Sequence, residues 1–212
     1  MGWYYTLTVV GALLSGIGTV LVAALAIWGE QIKARLQPPN LALEIPADPP
    51  DPISFRPPRF YLHLRVRNSG SIARNCRVML RGMQRKHADE PASPQCVPIA
   101  LQFTWSPSEM PPLQRNIGRG PGETFDLGFV ENAGQDGNRF RPQFYVTPAG
   151  HDYSVPGGVL ARYSLDIEAD NCASPTYLVE VLFDGHWDDD PEKMRDHLKV
   201  ARISQVSPGK VE

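Results

Sequence analysis

The sequence predicts a mainly β protein: an antiparallel β-sandwich of eight or nine strands, preceded by one N-terminal transmembrane α-helix and carrying one short helix near the C-terminus. Three observations predict this architecture. An uncharged apolar stretch opens the chain, the remainder consists of short runs in which apolar and polar residues alternate, and turns rich in Gly, Pro, Asn and Asp separate those runs.

The apolar stretch is the first element. No charged side chain precedes Glu30, and residues 7–27 form a predominantly apolar run of 21 residues. A helix of that length, at about 1.5 Å per residue, would cross a bilayer core of about 30 Å. Trp3 and Trp28 flank the run, as aromatic side chains at the headgroup level do. We therefore expect residues 1–29 to span the membrane as a helix in contact with lipid.

Basic residues follow this span but do not precede it, with Lys33 and Arg35 directly after it. The positive-inside rule then places the N-terminus outside and the C-terminal domain in the cytoplasm, with the protein in the cell inner membrane. The alternative is an exported, periplasmic domain, because residues 24–26 have the small-x-small form of a signal-peptide cleavage site.

Three small residues of the span, Gly11, Ser15 and Gly18, lie on one helix face. Faces of this kind let two backbones approach closely in lipid, so the sequence allows a homodimer through these residues. The alternative is that Gly and Ala are simply frequent in spanning helices.

Residues 30–58 are predicted to be a proline-rich juxtamembrane stalk, because they hold eight of the chain's 21 prolines. Proline fixes its own φ and biases the preceding residue toward extended conformations, which would hold the next domain away from the membrane. One apolar piece, residues 41–45, could be a strand within the stalk. The β-sandwich is assigned to residues 59–205 and a flexible tail to residues 206–212.

Alternation of apolar and polar residues predicts the strands of the domain. It is regular over residues 59–68 and returns over residues 76–81 after an Asn-Ser-Gly turn, so residues 59–83 are predicted to form a hairpin. Further strands are predicted at residues 98–105, 124–130, 141–147, 159–169, 176–183 and 198–203.

Two of these stretches resemble a known kind of domain. The sequence LHLRVRNSGSIARNCRVML resembles the early strands of bacterial immunoglobulin-like domains of the cell-adhesion-related (CARDB-like) kind, and GPGETFDLGFV at residues 120–130 looks like the Gly-rich turn and strand before their later hairpin. The whole chain is similar to uncharacterised bacterial single-pass membrane proteins that join one spanning helix to such a domain. The resemblance implies an immunoglobulin-like sandwich and supplies no catalytic residues.

Composition and motifs favour a binding protein over an enzyme. The net charge of −2 gives no overall attraction to nucleic acid. Cys76, Cys96 and Cys172 form no C-x-x-C pair and are expected to be reduced, buried thiols. The sequence holds no G-x-S-x-G, no phosphate-binding G-x-x-x-x-G-K-[ST] and no H-E-x-x-H. We therefore expect no catalytic residues, no cofactor and no nucleic-acid partner.

Charge is unevenly distributed along the domain. Seven basic and no acidic side chains lie between Leu62 and Ala88, whereas nine acidic and no basic ones lie between Tyr163 and Glu192. One interpretation is cross-strand ion pairing on a solvent-exposed face. The other is that the arginines bind anionic lipid headgroups or an acidic protein partner. On that second interpretation the binding residues are Arg65, Arg67, Arg77 and Arg81.

Residues 183–197, FDGHWDDDPEKMRDH, concentrate side chains that bind metals. Residues 189–192 are typical of a helix N-terminus, with a capping aspartate and an early proline, so a short helix is predicted that opens there and is completed by residues 193–198. The spacing does not fit a calcium loop, and His186 and His197 are eleven residues apart, which matches no zinc motif. A metal-dependent enzyme or metal-binding domain is therefore the alternative function. Its candidate ligands are Asp184, His186 and Asp188.

Trp187 is an aromatic residue within this polar turn, and we expect it to be exposed and to act in recognition. Together these features predict a membrane-anchored binding module without catalytic activity, which recognises a protein partner or a membrane surface. An exported envelope domain is a further alternative that differs in compartment only.

Overall fold

The computed structural model describes residues 2–47, 51–53, 58–87, 91–95, 97, 99–106, 112–132 and 137–206. It divides into two compact units, Met1–Pro38 and Pro39–Glu212. Among the described residues, strands predominate and form two antiparallel sheets. The mainly β fold class with two antiparallel sheets is therefore confirmed.

The N-terminal unit contains one α-helix, α1, over Gly2–Leu36. It is longer than the predicted helix of residues 1–29, because residues 30–36 are nearly all strong helix formers and only Pro38 disfavours continuation. Large apolar side chains along it are exposed, Val20 and Leu25 among them. Within the described part of the chain, no helix combines the length and the apolar character that crossing a membrane requires.

The described residues of the second unit contain one further helix and fourteen strands. In chain order these are β1 (Leu41–Glu44), β2 (Asp51–Ile53), β3 (Arg59–Asn68), β4 (Ala73–Lys86), β5 (Ser93–Gln95), β6 (Leu101–Gln102), β7 (Thr104–Trp105), β8 (Arg115–Ile117), β9 (Glu123–Glu131), β10 (Arg139–Pro142), β11 (Val155–Pro156), β12 (Val159–Glu168), β13 (Thr176–Phe183), α2 (Pro191–His197) and β14 (Leu198–Val206). The prediction of eight or nine strands was too low. Six of the fourteen have only two or three residues, too few to show an alternating pattern.

The first sheet has the spatial order β1-β3-β9-β10-β11, with β2 also paired to β3 and β7 to β9. The second has the order β14-β13-β12-β4-β5, with β6 and β8 also paired to β4. Inward-facing side chains of both sheets form one hydrophobic core, in which Trp105, Tyr163 and Phe103 are the largest fully buried residues.

The predicted hairpin over residues 59–83 is wrong, because β3 lies in the first sheet and β4 in the second. Asn68, buried at the end of β3, stabilises the connection between them. Its side-chain amide donates to the carbonyl oxygen of Ile117 at 2.8 Å, and its side-chain oxygen accepts from the amide of Gly70 at 3.0 Å. The alternating sequence pattern identifies the side chains that face the core. A strand in either sheet produces the same pattern, so the pattern does not reveal which sheet the strand joins.

The possible strand at residues 41–45 is confirmed as β1. Its assignment to a stalk outside the β-domain is wrong, because β1 and β2 both pair with β3. Leu41 and Leu43 are buried in the core and stand opposite Asn68 and Val66. The first strand of the sheet therefore follows α1 after only four residues. Residues 48–50 and 54–57, and residues 207–212 of the predicted tail, lie outside the described residues.

The cysteine predictions are partly confirmed. Cys76 is a free, fully buried thiol, and burial raises its pKa to about 11. Cys172 is free and half-buried, and burial also raises its pKa. Cys96 lies outside the described residues.

The predicted C-terminal helix is confirmed as α2. Asp190 caps it, accepting a hydrogen bond from the amide of Glu192 at 3.0 Å, and Pro191 is its first residue. Met194 is fully buried and fixes this short helix against the core.

Candidate functional site

The outer face of the second sheet carries Arg77 and Arg81 of β4. Arg77 contacts Glu168 of β12 at 2.7 Å, and Arg81 contacts Asp166 at 2.8 Å and also Glu168. The basic and the acidic stretch of the sequence thus meet strand against strand. Cross-strand ion pairing, one of the two interpretations from the sequence, is confirmed for these two arginines.

The two remaining arginines predicted to bind lie on the other sheet. Arg65 and Arg67 belong to β3, and Arg67 forms a solvent-exposed ion pair with Glu44 of β1 at 3.4 Å. The basic run between Leu62 and Ala88 is therefore split between two sheets. It forms no single basic patch within the described residues.

A groove crosses the outer face of the second sheet. We call it the outer groove; it has a volume of about 660 Å³ and a floor made by Gly82, Ser164 and Leu178. These residues stand side by side on β4, β12 and β13. On one side of this floor Arg162 donates two hydrogen bonds to Glu180, at 2.6 and 2.9 Å. The Arg81–Asp166 pair lies on the other side.

The turn after β13 brings a second group of side chains together. Asp184, His186 and His197 each offer one ligand atom, and these atoms lie within 4.8 Å of one another. Nδ1 of His197 lies 2.8 Å from one carboxylate oxygen of Asp184, and Nδ1 of His186 lies 3.3 Å from the other. We call these three residues the turn cluster.

Sheet register explains why residues thirteen apart meet in the turn cluster. Phe183 and Leu198 are the last paired residues of β13 and β14, so Asp184 and His197 are the next residues on either side. The amide of Asp184 donates to the carbonyl oxygen of His197 at 3.1 Å. Gly185, with a φ of +97° that favours glycine, then turns the chain so that the amide of His186 donates to the Asp184 carboxylate at 2.8 Å.

Electrostatics keep the Asp184 carboxyl ionised. Partial burial acts to raise its pKa, but the hydrogen bonds from His197 and from the His186 amide, together with the charge of both rings, lower that pKa below its ordinary value. The carboxylate is therefore available as an oxygen ligand at neutral pH. A shallow cleft of about 360 Å³, lined by Asn138 and Arg139, lies beside Asp184 and His186.

Asp188, the third ligand predicted from the sequence, is outside the turn cluster. Its carboxylate accepts from the amide of Asp190 at 2.9 Å and lies 3.9 Å from Nζ of Lys193. His197 takes its place in the cluster. The sequence does contain a signal for His197. One predicted strand ends at residue 183 and another begins at residue 198, and if these strands were antiparallel neighbours, residues 184 and 197 would lie opposite each other.

Trp187 differs from its predicted exposure. The ring is half-buried against the core, with its centroid 4.9 Å from that of Phe60, and Nε1 donates to Asp189 at 2.7 Å. The expectation of an exposed ring is therefore wrong, and its role in recognition stays a prediction.

Comparison with known proteins found no matching family model, no matching curated protein and no matching solved structure. The resemblance to immunoglobulin-like domains of single-pass proteins stays a prediction.

Proposed function

We propose that the protein is a membrane-anchored binding module, without catalytic activity of its own, that recognises an extended segment of a partner protein in the outer groove. The observation that carries this proposal is the groove itself. Its volume of about 660 Å³ falls within the range of about 300–1,000 Å³ that is typical of ligand sites.

The dimensions of the outer groove fit one extended chain. Arg162 and Asp166 lie on the same face of β12, four residues apart, so their Cα atoms are about 13 Å apart at about 3.3 Å per residue. Stacked β-sheets lie about 10 Å apart, a spacing that one extended layer with its side chains fills. The floor lacks a side chain at Gly82 and has a small one at Ser164, which leaves space for apolar side chains of the partner.

The chemistry of the groove also favours a peptide segment. Arg162 and Arg81 supply N–H donors on the two sides of the floor, and the side-chain oxygens of Gln84, Gln95 and Ser164, which also line the groove, can accept hydrogen bonds. A peptide backbone needs both donors and acceptors along its length. Anionic lipid headgroups, in contrast, need an excess of positive charge, which the pairing of these arginines removes.

The sequence of α1 supports the membrane anchor in this proposal. Residues 7–27 carry no charged side chain and are predominantly apolar, as a spanning segment of about 20 residues is. We propose an inner-membrane protein with its N-terminus outside and an immunoglobulin-like sandwich in the cytoplasm. Pairing of two such anchors through Gly11, Ser15 and Gly18 stays a prediction.

Orientation is tested by fusing a reporter to Glu212 of the full-length chain. A protein that fluoresces only in the cytoplasm is expected to be bright, and alkaline phosphatase at the same position is expected to be inactive. A dark fusion together with an active phosphatase would show that the domain is exported.

The outer groove is tested by photo-crosslinking in the native membrane. A photo-reactive amino acid in place of Ser164 is expected to give a covalent adduct with a partner polypeptide, and the same amino acid in place of Arg141, on the first sheet, is not. Filling the groove with Gly82→Leu should reduce the adduct to the level seen at position 141. Space for this side chain exists, because a Cβ at Gly82 would stand 3.7 Å from Cβ of Ser164.

The matched control is Gly120→Leu, at a glycine whose surroundings are open, and it should leave the adduct unchanged. Adducts with lipid instead of protein would support a membrane-surface role and contradict a peptide groove. Equal adducts at positions 164 and 141 would also contradict it.

A further inference from the structure

We propose that the turn cluster, Asp184, His186 and His197, binds one divalent transition-metal ion of the zinc class. The proposal is independent of the outer groove, which none of these residues lines. It rests on three ligand atoms, two imidazole nitrogens and one carboxylate oxygen, that converge within 4.8 Å in a part of the fold stabilised by sheet pairing.

Individual contacts within the turn cluster approach the ligand spacing of a metal site. Two ligand atoms that are each about 2.0–2.1 Å from a tetrahedral zinc ion lie about 3.3 Å apart. Nδ1 of His186 and its nearer Asp184 oxygen are separated by 3.3 Å. Nδ1 of His197 lies 2.8 Å from the other oxygen of the same carboxylate, and one ligand atom from each residue can be chosen within 4.8 Å of the others. Binding one ion would therefore require these side chains to draw together by up to about 1.5 Å.

The backbone fixes two of the three ligands independently of any ion. Asp184 and His197 are joined through the hydrogen bond from the Asp184 amide to the His197 carbonyl oxygen at 3.1 Å. Asn138 donates to the carbonyl oxygen of Gly185 at 3.3 Å, which stabilises the turn between Asp184 and His186. An ion would therefore bind to ligands that are already close together, with a small cost in ordering.

The donor atoms select the class of metal. Calcium and magnesium prefer sites made of oxygen atoms, and magnesium keeps several waters. Two imidazoles with one carboxylate suit zinc, nickel, copper or ferrous iron. A site with three protein ligands leaves a fourth position for water or another small ligand, as in catalytic zinc sites. The His186 side chain is 78% exposed, so this position would face solvent.

The site is tested with the full-length chain in detergent micelles, purified through a tag that contains no histidine. Isothermal titration with zinc is expected to show one ion per chain, with no uptake of calcium or magnesium. Cobalt should give the visible absorption bands of a tetrahedral or five-coordinate ion with nitrogen ligands.

The most informative variant is His186→Ala. Because this exposed side chain contributes little packing, its removal should leave the fold intact and change only the metal site. It should weaken zinc binding by at least about tenfold, since loss of residues that merely support a ligand already costs about 10–100-fold. His197→Ala should do the same and should also abolish the cobalt bands. The control His151→Ala removes an exposed histidine elsewhere and should leave affinity and stoichiometry unchanged.

Three results would overturn the proposal: no zinc uptake by the wild-type chain, equal uptake by wild type and His186→Ala, or an equal loss in His151→Ala. Circular dichroism of each variant shows whether the fold is intact. If His197→Ala does not fold, the comparison of wild type, His186→Ala and His151→Ala still decides the question.

Discussion

Replacing Trp105 with alanine is expected to lower the free energy of unfolding by about 3–5 kcal/mol, the range for removal of a fully buried large aromatic side chain. Trp105 is 1% exposed and ends β7, where the chain has just reached the first sheet. Its ring packs edge-on against Phe125, with 6.2 Å between centroids, and the guanidinium of Arg115 lies 5.8 Å from its centroid. Alanine would leave a cavity that rigid strands on both sides cannot close.

The position of Trp105 in the chain adds to this effect. Leu101 and Gln102 pair with β4 in the second sheet, whereas Thr104 and Trp105 pair with β9 in the first. Phe103 between them is buried and forms a bridge to Phe144. A cavity at this crossing would therefore loosen both sheets at once.

Guanidinium unfolding followed by far-ultraviolet circular dichroism measures this loss, and an unchanged slope would show that the transition remains two-state. The control is Tyr145→Ala, an aromatic deletion at a side chain that is 46% exposed, expected to change stability by less than about 0.5 kcal/mol. Equal effects of the two substitutions would contradict the assignment of Trp105 to the core.

Features that depend on neighbouring residues in the chain were predictable. Strand β12 alternates buried and half-buried side chains over all ten residues, as its sequence pattern indicates. Helix α2 begins where a capping aspartate and a proline stand together. Both depend on interactions within a few residues, and such local patterns are readable from one sequence.

Features that depend on which distant strands pair were not predictable. The pattern of residues 98–105 is that of one strand, but the chain changes sheets at Phe103. Inward-facing residues satisfy the same pattern in either sheet, so the sequence could not distinguish a hairpin from a crossing. The stalk prediction failed similarly, because prolines flanking residues 41–44 do not prevent that strand from pairing at an edge of the sheet.

The turn cluster was predictable from the sequence in part. The residue types were evident from the sequence, and so was their concentration in residues 183–197. The third residue of the cluster, His197 in place of Asp188, is brought there by the pairing of Phe183 with Leu198, which only the register of β13 and β14 supplies. Motif spacing alone therefore could not place His197 beside Asp184.

Replacing Gly157 with alanine is expected to destabilise the protein by about 1–3 kcal/mol, as overpacking against rigid neighbours does. A Cβ at this position would stand 2.7 Å from the amide nitrogen of Gly185 and even closer to its Cα. The neighbouring Gly158 donates its amide to the carbonyl oxygen of Phe183 at 2.8 Å, so the two turns cannot simply move apart. The strain would fall on residues 184–186.

The same substitution is expected to weaken zinc binding by at least about tenfold, because Asp184 and His186 would shift while His197 stays fixed by α2 and β14. Chemical unfolding and zinc titration on one preparation measure both effects. Gly118→Ala is the matched control, since no atom lies within 4 Å of a Cβ there, and it should change neither quantity. Lost stability with unchanged zinc affinity would show that the turn contributes to folding without positioning ligands. Both properties unchanged would contradict the close packing of Gly157 on Gly185.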